Sequence, residues 1–114
     1  MSQLVKSSRD VIVRTPDWDA ALLFYEKTLG FPIIHRSDTI VGFETGEFVL
    51  YVEIGEPHGP VFDFLTPDVP GARKSLIDAG CSLIEEDASL PRCYLKDPFG
   101  VVFNLGIRDS GASR

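Results

Sequence analysis

Two stretches of this chain begin with the same tripeptide. TPDWDAALLFYEKTLGF starts at Thr15, and TPDVPGARKSLIDAGCS starts at Thr66; the first runs through Gly30 and the second through Gly80. In the first copy Asp17 is placed to cap a helix, its carboxylate accepting from amides of the first turn. Trp18, Leu22, Tyr25 and Leu29 recur at steps of four, three and four, the apolar stripe of an amphipathic helix, and Gly30 follows as a left-handed stop. In the second copy Asp68 takes the cap, Val69, Ala72, Leu76 and Ala79 form the stripe, and Gly80 is the stop. Pro70 falls in the first turn, where a missing amide does little harm. The spacing predicts helices over residues 17–29 and 68–79.

The surroundings repeat as well. A short apolar strand precedes each helix, DVIVRT (10–15) and VFDFLT (61–66), and three strand candidates follow each. These are residues 31–37, 39–45 and 47–54 in the first half, and 81–86, 92–96 and 101–107 in the second. Turn sequences separate them, including Thr45-Gly46 and Asp97-Pro98-Phe99-Gly100. The expected fold is therefore α+β: two tandem βαβββ modules, each a curved mixed sheet with one helix on its outer face. The modules span 9–54 and 61–107 of a single domain covering 1–114, with 55–60 as linker and 108–114 as a flexible tail. A chain this long suits one compact domain.

Period-two alternation assigns the strand faces. Val11 and Val13, Phe62 and Phe64, the set Phe48, Leu50, Val52 and Ile54, and the set Phe103, Leu105 and Ile107 are expected under the helices. The opposite faces then carry Ile12, Val49, Val61, Leu65, Val102 and Gly106, together with the polar residues Asp10, Arg14, Tyr51, Glu53, Asp63 and Asn104. Polar groups among apolar neighbours on an uncovered sheet are the usual lining of a small-molecule crevice, so these six are the candidate ligand-binding residues.

Composition narrows the partners. Seventeen acids against eleven bases give a net charge of −6, which disfavours nucleic acid and anionic membranes. No apolar run approaches the length of a membrane span, and MSQLVKSSRD lacks the apolar core of a secretory signal, so a cytoplasmic location is expected. Cys81 and Cys93 could pair as a disulfide, but without an export signal two buried thiols are the better reading.

The paired βαβββ pattern, FYEKTLGF (24–31) after the D-W-D-A-A helix start, and the closing DPFGVVFNL (97–105) resemble the vicinal oxygen chelate superfamily. That group includes glyoxalase I, extradiol dioxygenases, fosfomycin-modifying enzymes and bleomycin-resistance proteins. The resemblance implies four metal-ligand positions, on the first and fourth strands of each module. Seven residues before Asp17 and Asp68 they fall on Asp10 and Val61, and on the fourth strands they fall on Tyr51 and Asn104. Valine has no lone pair, and tyrosine and a neutral amide are weak ligands; only Asp10 is a good one. His35 and His58 lie outside these positions. The expectation is a family member without bound metal or cofactor, closest to the bleomycin-resistance proteins and their role in antibiotic resistance.

Three functions follow. The first is metal-independent binding of a drug or metabolite in a crevice, with Tyr51 and Phe99 stacking. Asp10, Glu53 and Asp63 against Arg14 would favour planar ligands that are neutral or cationic. The same acids could instead be absorbed in ion pairs with Arg14 and Arg92. The second is an enzyme: a metal-dependent lyase or dioxygenase with an atypical site, or an acid–base catalyst using Asp10 or Glu53. The third is an interaction module with no ligand. A homodimer is expected in each case, because open faces and edges need covers, and residues 1–9 are candidates to cross to the partner.

Overall fold

A computed structural model describes residues 3–108. The elements are β1 (Lys6–Thr15), α1 (Trp18–Leu23) running into a π-helical turn (Phe24–Thr28), β2 (Ile33–Arg36), β3 (Ile40–Glu44), β4 (Val49–Ile54), β5 (His58–Thr66), α2 (Val69–Asp78), β6 (Ser82–Asp87), β7 (Arg92–Lys96) and β8 (Val102–Ile107). The fold is α+β, and βαβββ occurs twice. Contacts divide the described residues into one compact unit of Arg9–Val61 and another of residues 62–108 with 3–8. The strand β5 already begins at His58, so the connection between modules is shorter than the expected linker. Apart from Arg108, the expected tail lies outside the described residues, as do Met1 and Ser2.

In the first unit the strand order is β2-β3-β4-β1, with β1 parallel to β4 and the other neighbours antiparallel. Val41, Phe43, Leu50 and Val52 form its buried core, and Val11, Val13, Trp18, Ala21, Leu22 and Tyr25 pack on it. Trp18 is anchored there, its indole N–H donating to the Val52 carbonyl at 3.0 Å. In the second unit the order is β5-β8-β7-β6, again parallel only at β5–β8. Ala72, Cys81, Cys93, Leu95, Phe103 and Leu105 form its core, covered by Val5, Phe64, Val69 and Leu76. Both cysteines are unbridged and buried, as two thiols.

The two helix starts are not equivalent. Asp68 Oδ1 accepts the Gly71 amide at 3.1 Å and caps α2. Asp17, expected to do the same for α1, makes no side-chain cap, although both aspartate amides donate to the threonine two residues before, Asp17 to Thr15 Oγ1 and Asp68 to Thr66 Oγ1. The ends also diverge. In the first copy the Leu29 amide reaches back five residues to the Phe24 carbonyl, a widened turn that rotates the last positions out of phase. Leu29, expected in the stripe, is therefore exposed, and Ala79 is exposed at the end of α2. Gly30 and Gly80 both take positive φ, 78° and 112°, as helix stops.

Strand parity is as expected, but burial does not follow it at every position. Phe48, Ile54, Phe62 and Ile107 were expected under the helices and are exposed. Conversely Val49, Val61 and Leu65, on the expected open faces, are buried.

Candidate functional site

The first unit brings Asp10, Arg14, Tyr51 and Glu53 onto one sheet face. The parallel β1–β4 register sets Ile12 beside Tyr51 and Arg14 beside Glu53, while Asp10 lies beside Val49. The Arg14 Nε–Glu53 Oε1 separation is 3.3 Å, and both side chains are more than four-fifths buried. The Arg14 stem also lies against Gly55, where a Cβ would stand 2.6 Å from Arg14 Cδ. Glu53 is thus a paired carboxylate, so its negative charge is already answered by Arg14.

Tyr51 has a neighbour that sequence reasoning set aside. His35 on β2 and Tyr51 on β4 flank Gly42 of β3, and their rings stack across it, centroids 5.9 Å apart and planes at 20°. Gly42 makes this possible: a Cβ there would be 2.8 Å from Tyr51 Cε1 and 3.3 Å from His35 Cβ. The signal was available in the alternation of β3, where Gly42 interrupts a run of Val41 and Phe43 on the other face.

The second unit holds Asp63 and Asn104, adjacent in the β5–β8 register. Asn104 Oδ1 accepts the Cys93 amide at 2.9 Å, and its Nδ2 donates to Asp63 Oδ1, also at 2.9 Å. Beyond Asn104 on the same face lies Tyr94 of β7, 2% exposed, which alternation between Cys93 and Leu95 could have revealed. The Arg92 guanidinium sits 4.9 Å from the Tyr94 ring centroid and pairs with Glu85 at 2.9 Å. Arg92, weighed in the sequence as an alternative ion-pair partner for the acids of the candidate site, forms an ion pair with Glu85 on β6. Phe99, a candidate for stacking, is 90% exposed at the turn where Asp97 Oδ1 accepts the Phe99 and Val101 amides.

The modules therefore place their aromatic residues differently. On the cross-strand pair joining third and fourth strands, the first unit has Gly42 opposite Tyr51, whereas the second has Tyr94 opposite Asn104. The ring moves over by one strand, and a basic or imidazole side chain accompanies it each time.

The four family ligand positions do not suit a divalent metal. Val61 is apolar and 1% exposed, the Asn104 amide is engaged at both ends, and the Tyr51 ring is stacked on His35. Among the described residues no group of three or more His, Cys, Asp or Glu side chains is arranged to hold a metal. No helix among them is long and apolar enough to cross a membrane.

A family model described as Glyoxalase/Bleomycin resistance protein/Dioxygenase superfamily matches residues 9–105. No curated protein matches the sequence. Among solved structures, a hypothetical protein of Bacillus halodurans C-125 aligns with a TM-score of 0.68 at 14% identity, covering 98% of this chain and 100% of its own. Methylmalonyl-CoA epimerase of Mycobacterium tuberculosis aligns at 0.63 and 15% identity, covering 96% and 93%. Homoprotocatechuate 2,3-dioxygenase of Brevibacterium fuscum aligns at 0.64 and 17% identity; the match covers 96% of this chain but 39% of the dioxygenase. At such identities the likeness is one of fold.

Proposed function

This chain belongs to the glyoxalase/bleomycin resistance protein/dioxygenase superfamily, and we propose that it binds a small drug-like or metabolic molecule without using a metal. The observation that carries this reading is Asn104. At a position where metal-using members supply a ligand, its amide oxygen is held by the Cys93 N–H and its nitrogen by Asp63. With Val61 at a second such position, the chemistry left on the sheet faces is that of recognition: the Tyr51–His35 stack, the Arg14–Glu53 pair and the Asp63–Asn104 pair. Tyr51 supplies a π-surface for a planar group. By analogy with the bleomycin-resistance members, sequestration of the ligand is the activity that requires no further residue.

The working form in this reading is a homodimer. The strands β2 and β6 end their units' orders, and each carries exposed apolar residues, Ile34 on one and Leu83 and Ile84 on the other. Light scattering over a wide concentration range tests it, and a constant single-chain mass would refute it.

The functional test is elemental analysis together with a thermal-shift screen of divalent metals and planar compounds. Substoichiometric metal, shifts with planar compounds only, and loss of those shifts in Tyr51→Ala are expected. A stoichiometric metal bound through Asp10 or His35 would instead support a metal-dependent lyase or dioxygenase with an atypical site.

A further inference from the structure

The two helices share a sequence start but not an outer surface. Trp18, Ala21, Leu22 and Tyr25 pack α1 on its sheet, and Asp19, Ala20, Leu23, Phe24 and Lys27 are all exposed. Leu23 is 60% exposed and Phe24 49%, side by side in the chain where α1 runs into the wide turn. Aligned on the shared Thr-Pro-Asp, these two positions fall on Lys74 and Ser75 of α2. There Lys74 pairs with Asp78 at 2.7 Å and its neighbour Arg73 with Glu86 at 2.6 Å, so the outer surface of α2 is charged and internally paired. A helix surface that faces only water is polar, whereas adjacent large apolar side chains mark one that docks.

The charges around the patch identify what docks. Asp19 stands four residues before Leu23 and Lys27 four residues after it, on the same face. Among the described residues Asp19 forms no ion pair, and Lys27 reaches only its neighbour Glu26, at 4.0 Å. In two antiparallel copies related by a twofold axis at Leu23, each Asp19 lies opposite Lys27 of the other copy, so the pair forms twice. Leu23 then meets Leu23, and Ala20, with only a methyl group, leaves room for Phe24 of the second copy. A parallel arrangement would set Asp19 against Asp19 and Lys27 against Lys27. The sheet edges offer less. β2 and β6 are each interrupted by a bulge, at Ile34 and Ile84, which hinders strand-to-strand pairing.

We propose that the outer face of α1 is a homodimer contact, in which Leu23 and Phe24 of two antiparallel copies interlock between two Asp19–Lys27 pairs. The inference rests on the homodimer in the reading above and gives it a contact face. The patch is small, so the assembly is concentration-dependent.

Sedimentation equilibrium at fixed salt reads the dissociation constant. Leu23→Lys, the residue that α2 carries at this position, is expected to weaken association about tenfold or more. The side chain is exposed, so the circular dichroism of the monomer should not change. Asp19→Lys and Lys27→Asp should each weaken association about fivefold or more, and the double variant should return to within about twofold of wild type. On oxidation Leu23→Cys should cross-link into a dimer, whereas Lys74→Cys on α2 should not. A constant single-chain mass for wild type would refute this contact and the homodimer together. A dimer that survives Leu23→Lys and is not cross-linked through Leu23→Cys would refute the α1 face and leave the homodimer standing. Single variants that weaken association without recovery in the double variant would overturn the antiparallel register. A wild type that stays monomeric but cosediments with phosphatidylcholine vesicles would assign the patch to a lipid surface and overturn the proposal.

Discussion

The edge of the Tyr51 ring rests against Gly42: a Cβ on the glycine would stand 2.8 Å from Tyr51 Cε1. No real side chain tolerates that distance, so either the ring or the strand must move when residue 42 gains a methyl group. Gly42→Ala is expected to cost about 1–3 kcal/mol in urea denaturation, the usual range for an overpacked site. In a Tyr51→Ala background the same change should cost far less, because the colliding ring is gone. Equal costs in both backgrounds would show that the clash is not with Tyr51.

The unequal helix starts give a second test. Asp68 caps α2 through the Gly71 amide, whereas Asp17 has no such bond. Asp68→Ala should lower stability by about 1 kcal/mol, and Asp17→Ala by no more than a few tenths. Matching losses at the two positions would mean that Asp17 caps in solution.

These two cases also mark how much the sequence discloses. Period, helix stops and the tandem repeat are local properties, and from them both βαβββ modules and the parity of every central strand could be read. Asp17 was misjudged because capping depends on the backbone angles of one residue: Asp17 has φ −86° and ψ 55°, whereas Asp68 has φ −134° and ψ 86°. Leu29 was misjudged because a single wide turn shifts the helical phase, which an ideal 3.6-residue period does not anticipate. At the candidate site, the six polar residues could be assigned to sheet faces, but their partners depend on register. The β2–β3–β4 pairing brings His35 to Tyr51, and the β6–β7 pairing takes Arg92 to Glu85. A one-residue slip would have changed both.

The buried thiols predict a loss of stability at alkaline pH. Burial pushes the Cys81 and Cys93 thiols above the ordinary thiol range, with smaller contributions from Asp97 at Cys81 and from Glu86 at Cys93, where Arg73 opposes. A folded-state value raised above the unfolded one favours folding fully below the unfolded value. That contribution disappears as the pH rises toward the folded value. Thermal stability should therefore decline as the pH passes roughly 8.5, where unfolded thiols begin to ionise. In Cys81→Ala/Cys93→Ala the decline should be shallower, whatever the variant's stability at neutral pH. An unchanged slope would assign the alkaline loss to other groups.

Asn104 yields the most discriminating prediction, because its two hydrogen bonds can be removed in different ways. Asn104→Ala leaves the Cys93 N–H and Asp63 without that amide, and each orphaned buried group costs about 1–3 kcal/mol. Asn104→Asp is nearly the same shape and keeps an acceptor for the Cys93 amide. It also replaces the Nδ2 donor, 2.9 Å from Asp63 Oδ1, with a second carboxylate oxygen. Two like charges at that distance repel strongly away from bulk water. At neutral pH Asn104→Asp should thus be at least as destabilised as the alanine variant, despite its closer shape. Acidification should separate the two, because one added proton turns the pair of carboxylates into a donor and an acceptor. Melting temperatures of both variants from pH 8 down to pH 4, each measured relative to wild type, give the comparison. Recovery of Asn104→Asp toward wild type on acidification, with no parallel recovery in Asn104→Ala, is the expected result. An Asn104→Asp variant as stable as wild type at neutral pH would show that the amide does not bridge Cys93 and Asp63.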